Sequence, residues 1–297
     1  MATIRIGTRA SELALWQAHR VGALLRGVDP SLEVELVPIT TEGDRRLDVP
    51  LAEIGGKGVF ATEVQRLVLN GDADIAVHSA KDLPSQSPEG LVIGAIPERG
   101  DVRDALVGGR LAELPLGATV ATGSARRRAL LADARPDLRF AELRGNMATR
   151  IAKAADFDAI VVAGVALERL GLADRIDDYL DPIGFIPQVA QAALAVECRT
   201  ADDSAVSLLS LIDDSDSRRR VEAEREFLVE LGGDCSLPAG AHAVVADDNT
   251  LLIRGVLASE PGVRVERGQV SSSDSDNPGR DLAVELRDRL ENPTLGG

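Results

Sequence analysis

The sequence predicts an α/β protein of two lobes with a hinge, followed by a small α+β third domain. Three observations carry that expectation. Short runs rich in Ile, Val and Ala alternate with helical stretches from Ile4 to Leu170, the pattern of strands covered on both faces by helices. A late apolar strand, Leu194 to Cys198, follows a passage rich in Pro, Gly and Gln from Leu180 to Ala193, so the chain leaves one lobe and returns to it by a second crossing, as hinged clamps do. Three closely spaced strands and a helix then close the sequence. The boundaries read as 1–97 with 195–212 for the first lobe, 98–194 for the second and 217–297 for the last domain.

Thr3 to Gly7 is the first strand, and Ser11 suits the N-cap of a helix that turns Leu13, Trp16, Val21 and Leu24 inward. Leu32, Val34 and Leu36 alternate as a second strand. This opening puts Thr8, Arg9 and Ser11 at a helix N-terminus, where free N–H groups and the helix dipole attract anions. Thr40 to Gly58 is too polar and Gly-rich to pack and suits a binding loop. Lys57 stands there among glycines, without the Ser or Thr that a nucleotide-binding P-loop places after its Lys. Val59 to Asn70 is helical, and Gly71 stops it. In Ile75 to Pro84 an apolar strand runs out into His78, Ser79, Lys81 and Asp82, and Pro84 keeps Leu83 extended. Lys81 and Asp82 therefore sit on a short held turn at the carboxyl end of a strand, where open α/β sheets bind ligands.

Leu91 to Ile96, Asp104 to Val107 and Thr119 to Ala121 are further strands. The last leads into Thr122, Gly123, Ser124 and Ala125, then three arginines, Arg126, Arg127 and Arg128, in the first turn of a helix. There they oppose the dipole and repel one another unless an anion or an acidic partner lies close. Arg139 to Leu143 runs into Arg144, Gly145 and Asn146 and a helix bearing Arg150, a second strand-to-helix turn with arginine on it. Ala159 to Val162 is a strand, and Val165 to Leu170 a helix ended by Gly171. Asp213 to Ser217 reads as an acidic linker and Arg218 to Glu230 as a charged helix; strands at Ala241 to Val245, Leu251 to Leu257 and Val263 to Val270 and a helix at Asp281 to Leu290 make the last domain.

A formal charge of −15 argues against nucleic-acid binding, and no apolar run is long enough to span a membrane. The first residues lack a signal-peptide layout, and the two cysteines, Cys198 and Cys235, read as free thiols, so a cytoplasmic location is expected. His19, His78 and His242 show no metal-ligand spacing with them, and no metal is expected. Lysine occurs only at Lys57, Lys81 and Lys153; arginine supplies the rest of the 33 basic residues. A high-salt cytoplasm and a GC-rich genome each account for this.

Four separated stretches together resemble the porphobilinogen deaminase family. They are Gly7-Thr8-Arg9-Ala10-Ser11 with Leu13-Ala14-Leu15-Trp16-Gln17, then Gly55-Gly56-Lys57-Gly58, then Val77-His78-Ser79-Ala80-Lys81-Asp82-Leu83-Pro84, and finally Leu143-Arg144-Gly145-Asn146 with Thr149-Arg150. The resemblance implies two lobes like those of periplasmic binding proteins, a third domain carrying a cysteine, and a dipyrromethane cofactor attached to it. It implies hydroxymethylbilane synthase activity, in which four porphobilinogen molecules are joined in succession and released as a linear tetrapyrrole. Carried onto this chain, Cys235 would hold the cofactor and Asp82 would be the catalytic carboxylate. Lys81, Ser124, Arg126, Arg127 and Arg144 would bind the cofactor, and Arg9, Ser11, Lys57 and Arg150 the substrate. A monomer that hands its product to uroporphyrinogen-III synthase is expected.

The chemistry agrees with that assignment. Porphobilinogen carries acetate and propionate groups, and guanidinium is the permanently charged, bidentate partner for carboxylates. Glu53 stands where relatives carry a second lysine, Gly123 and Ala125 replace a usual Ser and Leu, and Asp234 replaces a Gly before the cysteine. A non-catalytic two-lobed protein binding a small carboxylated ligand is the rival from another class.

Overall fold

The computed structural model describes residues 3–41, 59–84, 86–233, 237–259 and 264–292. Its contacts divide the chain into two units, Met1–Gly100 with Ala192–Arg218, and Asp101–Gln191 with Arg219–Gly297.

In the first unit, β1 (Thr3–Arg9) lies parallel to β2 (Glu33–Ile39) and to β3 (Ile75–Ser79). The returning strand β10 (Leu194–Arg199) runs antiparallel between β3 and β4 (Leu91–Ala95). The central position of β3 explains its unbroken apolar run, since both faces are covered. Pro38 is tolerated because β2 is an edge strand. On one face Ile6, Ile75 and Val196 meet Val21 and Leu25 of α1 (Glu12–Val28) and Leu209 of α6 (Asp203–Ser210). On the other, Ala76 and Leu91 meet Val64 and Val68 of α2 (Val59–Asn70). Each such Val, Leu or Ile contributes about 1.5–3 kcal/mol when fully buried.

The second unit repeats the arrangement. β6 (Thr119–Ala121) lies parallel to β7 (Arg139–Ala141) and β8 (Ala159–Ala163), and β5 (Asp104–Val107) runs antiparallel between β8 and the short β9 (Asp178–Tyr179). Both sheets therefore share one order: second, first and third parallel strands, then an antiparallel strand, then an edge strand. The helices α3 (Ala125–Ala134), α4 (Met147–Ala152) and α5 (Gly164–Arg169) follow β6, β7 and β8.

The third sheet, β11 (Ala239–Val245), β12 (Leu251–Ala258) and β13 (Val265–Ser271), is an antiparallel meander with α7 (Ser215–Glu230) and α8 (Pro278–Glu291). Gly255 lets Leu282 and Phe227 pack onto the strand, since a Cβ there would sit 2.8 Å from Leu282. Val256 enters the same core as Leu106, Leu130 and Phe185, and Arg267 pairs with Asp133 at 2.7 Å, so this sheet builds onto the second one. The expectation of two α/β lobes and a small α+β domain is met.

Two local readings change. The acidic run taken as a linker begins α7, because Asp214 Oδ1 accepts the Ser217 N–H at 2.7 Å and so caps the helix. α6 was missed, its Ser-rich octet giving too short a period to read. Ala190 and Ala192 take the left-handed conformation, with φ of 57° and 70°, which costs a side-chain-bearing residue about 1–2 kcal/mol. Glycine there relieves that strain but gains freedom in the unfolded chain. Ala190→Gly also removes a fully buried methyl worth about 0.8 kcal/mol, so it should change stability by less than about 1 kcal/mol, a thermal midpoint within roughly 4 °C of wild type; a larger loss would contradict the strain.

Candidate functional site

The predicted site residues within the described regions fall into two groups, one in each unit; Lys57 and Cys235, with Glu53 and Asp234, lie outside the described residues. In the first unit, β1 and β3 are parallel, so their carboxyl ends open on one edge of the sheet. Ser11 caps α1, accepting the Ala14 N–H at 3.4 Å, and Thr8, buried beside it, donates to the Ala14 carbonyl at 3.3 Å. Beyond β3 a single 3₁₀ turn, Ala80–Asp82, is held by the Ala80 N–H on the Ala193 carbonyl at 3.0 Å. Leu83 follows in extended conformation, φ −72° and ψ 145°, as Pro84 requires.

This geometry gathers Arg9, Ser11, Lys81 and Asp82 around one pocket of about 80 Å³. Val77, Leu13, Ala14 and Ala61 give it an apolar wall, and Gln17, His78 and Ser79 add polar groups. Asp82, Lys81 and Arg9 are each half-buried. A carboxylate thus shares one pocket with two cationic side chains on a partly dry surface, where charge acts more strongly than in water.

The pocket wall hides a further polar group. His78 is 7% exposed, and its Nε2 lies 3.2 Å from Oε2 of Glu197, which is fully buried on β10. Gln65 donates to the same oxygen at 2.8 Å and Ser87 to Oε1 at 3.2 Å. Burial alone would raise the Glu197 carboxyl, but His78 and the bonds from Gln65 and Ser87 hold it below the usual carboxylate range. Sequence reading had no catalytic role for His78, Gln17 or Glu197; the strand register that brings Glu197 to His78 cannot be read from spacing.

In the second unit the carboxyl ends of β6 and β7 are adjacent, and each feeds a helix. Ser124 caps α3, accepting the Arg127 N–H at 3.4 Å, and Asn146 caps α4, accepting the Thr149 N–H at 2.9 Å. Gly145 has φ of +110°, and a Cβ there would strike Thr149 at 2.7 Å, so the turn that carries Arg144 requires glycine. A Cβ on Gly123 would lie 3.0 Å from the Leu143 carbonyl, a tight approach that glycine avoids. Arg144 is exposed, with Nε 4.0 Å from Glu142, and Arg150 is half-buried, its Nε donating to the Gly145 carbonyl at 2.8 Å.

Arg126 and Arg127 have a different setting. Both reach inward to Asp104, which is fully buried at the start of β5. Arg126 donates to Oδ2 at 2.7 Å and to the Ile186 carbonyl at 2.6 Å. Arg127 donates to Oδ1 from Nε at 3.0 Å and from its terminal nitrogen at 2.7 Å, and Gln191 adds a bond at 2.9 Å. Burial opposes the charge on Asp104, yet the two guanidinium groups and these bonds hold the carboxyl far below its ordinary range. The acidic partner that three clustered arginines demanded is therefore Asp104, with Glu142 taking Arg128 at 2.6 Å. Arg126 is 2% exposed.

The remaining cysteine, Cys198, is buried in the first core, and burial pushes its thiol up, away from reactivity. Among the described residues no group of His, Cys, Asp and Glu side chains is arranged to hold a metal ion.

Residues 4–207 match the family described as porphobilinogen deaminase, dipyromethane cofactor binding domain, and residues 218–291 match the porphobilinogen deaminase C-terminal domain. The chain is 48% identical over 266 residues to a porphobilinogen deaminase of Syntrophotalea carbinolica, covering 88% of this chain and 84% of that protein. It is 44% identical over 292 residues to one of Syntrophobacter fumaroxidans, covering 96% and 94%. Among solved structures it is similar to a methionine-binding protein at 14% identity, covering 73% of this chain and 92% of that one with a TM-score of 0.45. It is also similar to a domain of the Bordetella pertussis BvgS protein at 17% identity, covering 71% and 85% with a TM-score of 0.38. The chain belongs to the porphobilinogen deaminase family.

Proposed function

We propose that this chain is a hydroxymethylbilane synthase, a transferase of tetrapyrrole and heme biosynthesis. It joins four porphobilinogen molecules stepwise to a covalent dipyrromethane primer and releases the linear tetrapyrrole by hydrolysis. The observation that carries the reading is the pocket at the carboxyl ends of β1 and β3, where the Asp82 carboxylate stands with Lys81 and Arg9. Such a set suits a substrate with anionic arms and a reacting centre that becomes positive.

In the deamination the C–N bond of the protonated aminomethyl group breaks, ammonia leaves with the electron pair, and the pyrrole nitrogen supplies electrons to the exocyclic carbon. The resulting azafulvenium is cationic at its N–H. Asp82 stabilises that charge and accepts the N–H hydrogen bond, while Arg9, Lys81 and Ser11 bind the carboxylate arms, with Lys57 and Arg150 assigned the same task.

The residues assigned to the cofactor are each suited to acetate and propionate groups: in the second unit the exposed Arg144 guanidinium and the Ser124 hydroxyl at a helix N-terminus, and in the first unit Lys81. When bound through Cys235, the dipyrromethane supplies the nucleophilic carbon to which substrate is joined. Arg127 belongs to the holding set through whatever donors Asp104 leaves it, and Arg126 by fixing Asp104 and the start of α3. A cytoplasmic, monomeric enzyme that passes its product to uroporphyrinogen-III synthase completes the proposal; the unpaired thiol of Cys198 is in keeping with a reducing compartment.

The purified protein incubated with porphobilinogen should release one ammonia per molecule consumed and one linear tetrapyrrole per four. Saturable binding of porphobilinogen without ammonia release would instead establish the rival, a binding protein.

A further inference from the structure

Glu197 is a buried carboxylate beside the pocket for which the chemistry above has no use. Its place follows from register. Ala195 lies opposite His78 in the antiparallel β3–β10 ladder, and side chains two residues apart share a face, so Glu197 comes diagonally across from His78 on the face that α2 covers. Gln65 of α2 and Ser87 complete its bonds, and among the described residues no lysine or arginine pairs with it. An ionised carboxylate so deep is costly, and apolar neighbours such as Ala76 and Val64 offer it nothing. The one polar group it shares with the pocket is His78.

We propose that Glu197 is a positioning residue: its carboxylate, 3.2 Å from Nε2 of His78, sets the imidazole so that Nδ1 is presented to porphobilinogen in the pocket beside Asp82. The inference rests on the deaminase reading of that pocket. Nε2 lies 3.2 Å from the carboxylate but off the line of a hydrogen bond, and a ring that carries its one hydrogen on that nitrogen, facing the negative charge, offers Nδ1 as an acceptor. Arg9 and Lys81 are donors only, so they bind carboxylate arms but cannot accept from a pyrrole N–H or an aminomethyl group. Asp82 accepts there already, and His78 adds a second acceptor to the wall.

The chain has only three histidines, so nitrogen-15 imidazole spectra of the cofactor-loaded enzyme are tractable, with the His78 signals assigned by their loss in His78→Asn. Wild type should show the Nε2–H tautomer at His78, and Glu197→Gln, which keeps the shape, should shift the pattern toward a mixture. The same variant should lower kcat by about tenfold, by analogy with partners that orient metal-bound histidines, with KM changed by less than about threefold. In the His78→Asn background Glu197→Gln should cost nothing more. Should the glutamine variant fail to fold, Glu197→Asp, with its charge kept but withdrawn by one methylene, should alter the His78 signals in the same direction. Unchanged His78 signals, or an equal loss of activity in the His78→Asn background, would overturn the proposal. If wild type released no ammonia from porphobilinogen, the reading of the pocket would fail, while the imidazole spectra would still decide what Glu197 does to the ring.

Discussion

Asp82→Asn should lower kcat by about 10²- to 10³-fold, the usual cost of removing a preorganised electrostatic stabiliser, and should leave the affinity for porphobilinogen nearly unchanged. Asparagine keeps the shape of the turn, and the 3₁₀ bonds that hold Ala80–Asp82 are backbone bonds that do not involve the side chain. What is lost is the negative charge, and that charge matters most when the substrate becomes cationic. An interaction that strengthens in the transition state appears in kcat rather than in KM. Single-turnover kinetics on cofactor-loaded enzyme separate the two. A variant that binds porphobilinogen poorly but turns it over at a near-normal rate once saturated would make Asp82 a substrate-positioning group.

Asp104→Asn should destabilise the second unit by about 3–5 kcal/mol, because it strands two buried guanidinium groups that share one carboxylate. In a unit of this size that corresponds to a thermal midpoint lower by roughly 6–20 °C. The pH dependence has a definite sign. The carboxyl of Asp104 is held below its unfolded value, so its contribution is complete above about pH 4 and disappears as pH falls from there toward the folded value. Wild type should lose stability steeply in that acid range, and the variant should lack this part of the slope. Urea melts between neutral pH and pH 3 measure both. A loss below about 1 kcal/mol at neutral pH would mean that water reaches the two arginines.

The elements that were legible are those whose cause is local. β3 has its apolar run and its Pro84 stop, α1 its Ser11 cap, and α2 its Gly71 terminus with φ of +81°. The Ala80–Asp82 turn was likewise readable, since Pro84 restricts Leu83 whatever the rest of the chain does. The features that were missed depend on register between distant segments. Asp104 is one polar residue at the head of an apolar strand, and nothing near it in the chain indicates two arginines more than twenty positions away. Glu197 sits between Val196 and Cys198 in a run that reads as pure core, and only the pairing of β10 with β3 brings it to His78. Asp214 shows a further failure, in which acidic residues that suggest a solvated linker act as the cap of α7. Local chemistry found where charge gathers at the strand ends, and the fold decides which charges are spent inside.

The covalent primer on Cys235 is the central claim, and the mass of the intact purified protein tests it most directly. The chain should be heavier than its sequence by two condensed porphobilinogen units, should redden with Ehrlich's reagent, and should lose both properties in Cys235→Ser but keep them in Cys198→Ser. An unmodified mass in a preparation that converts porphobilinogen at its full rate would contradict the account.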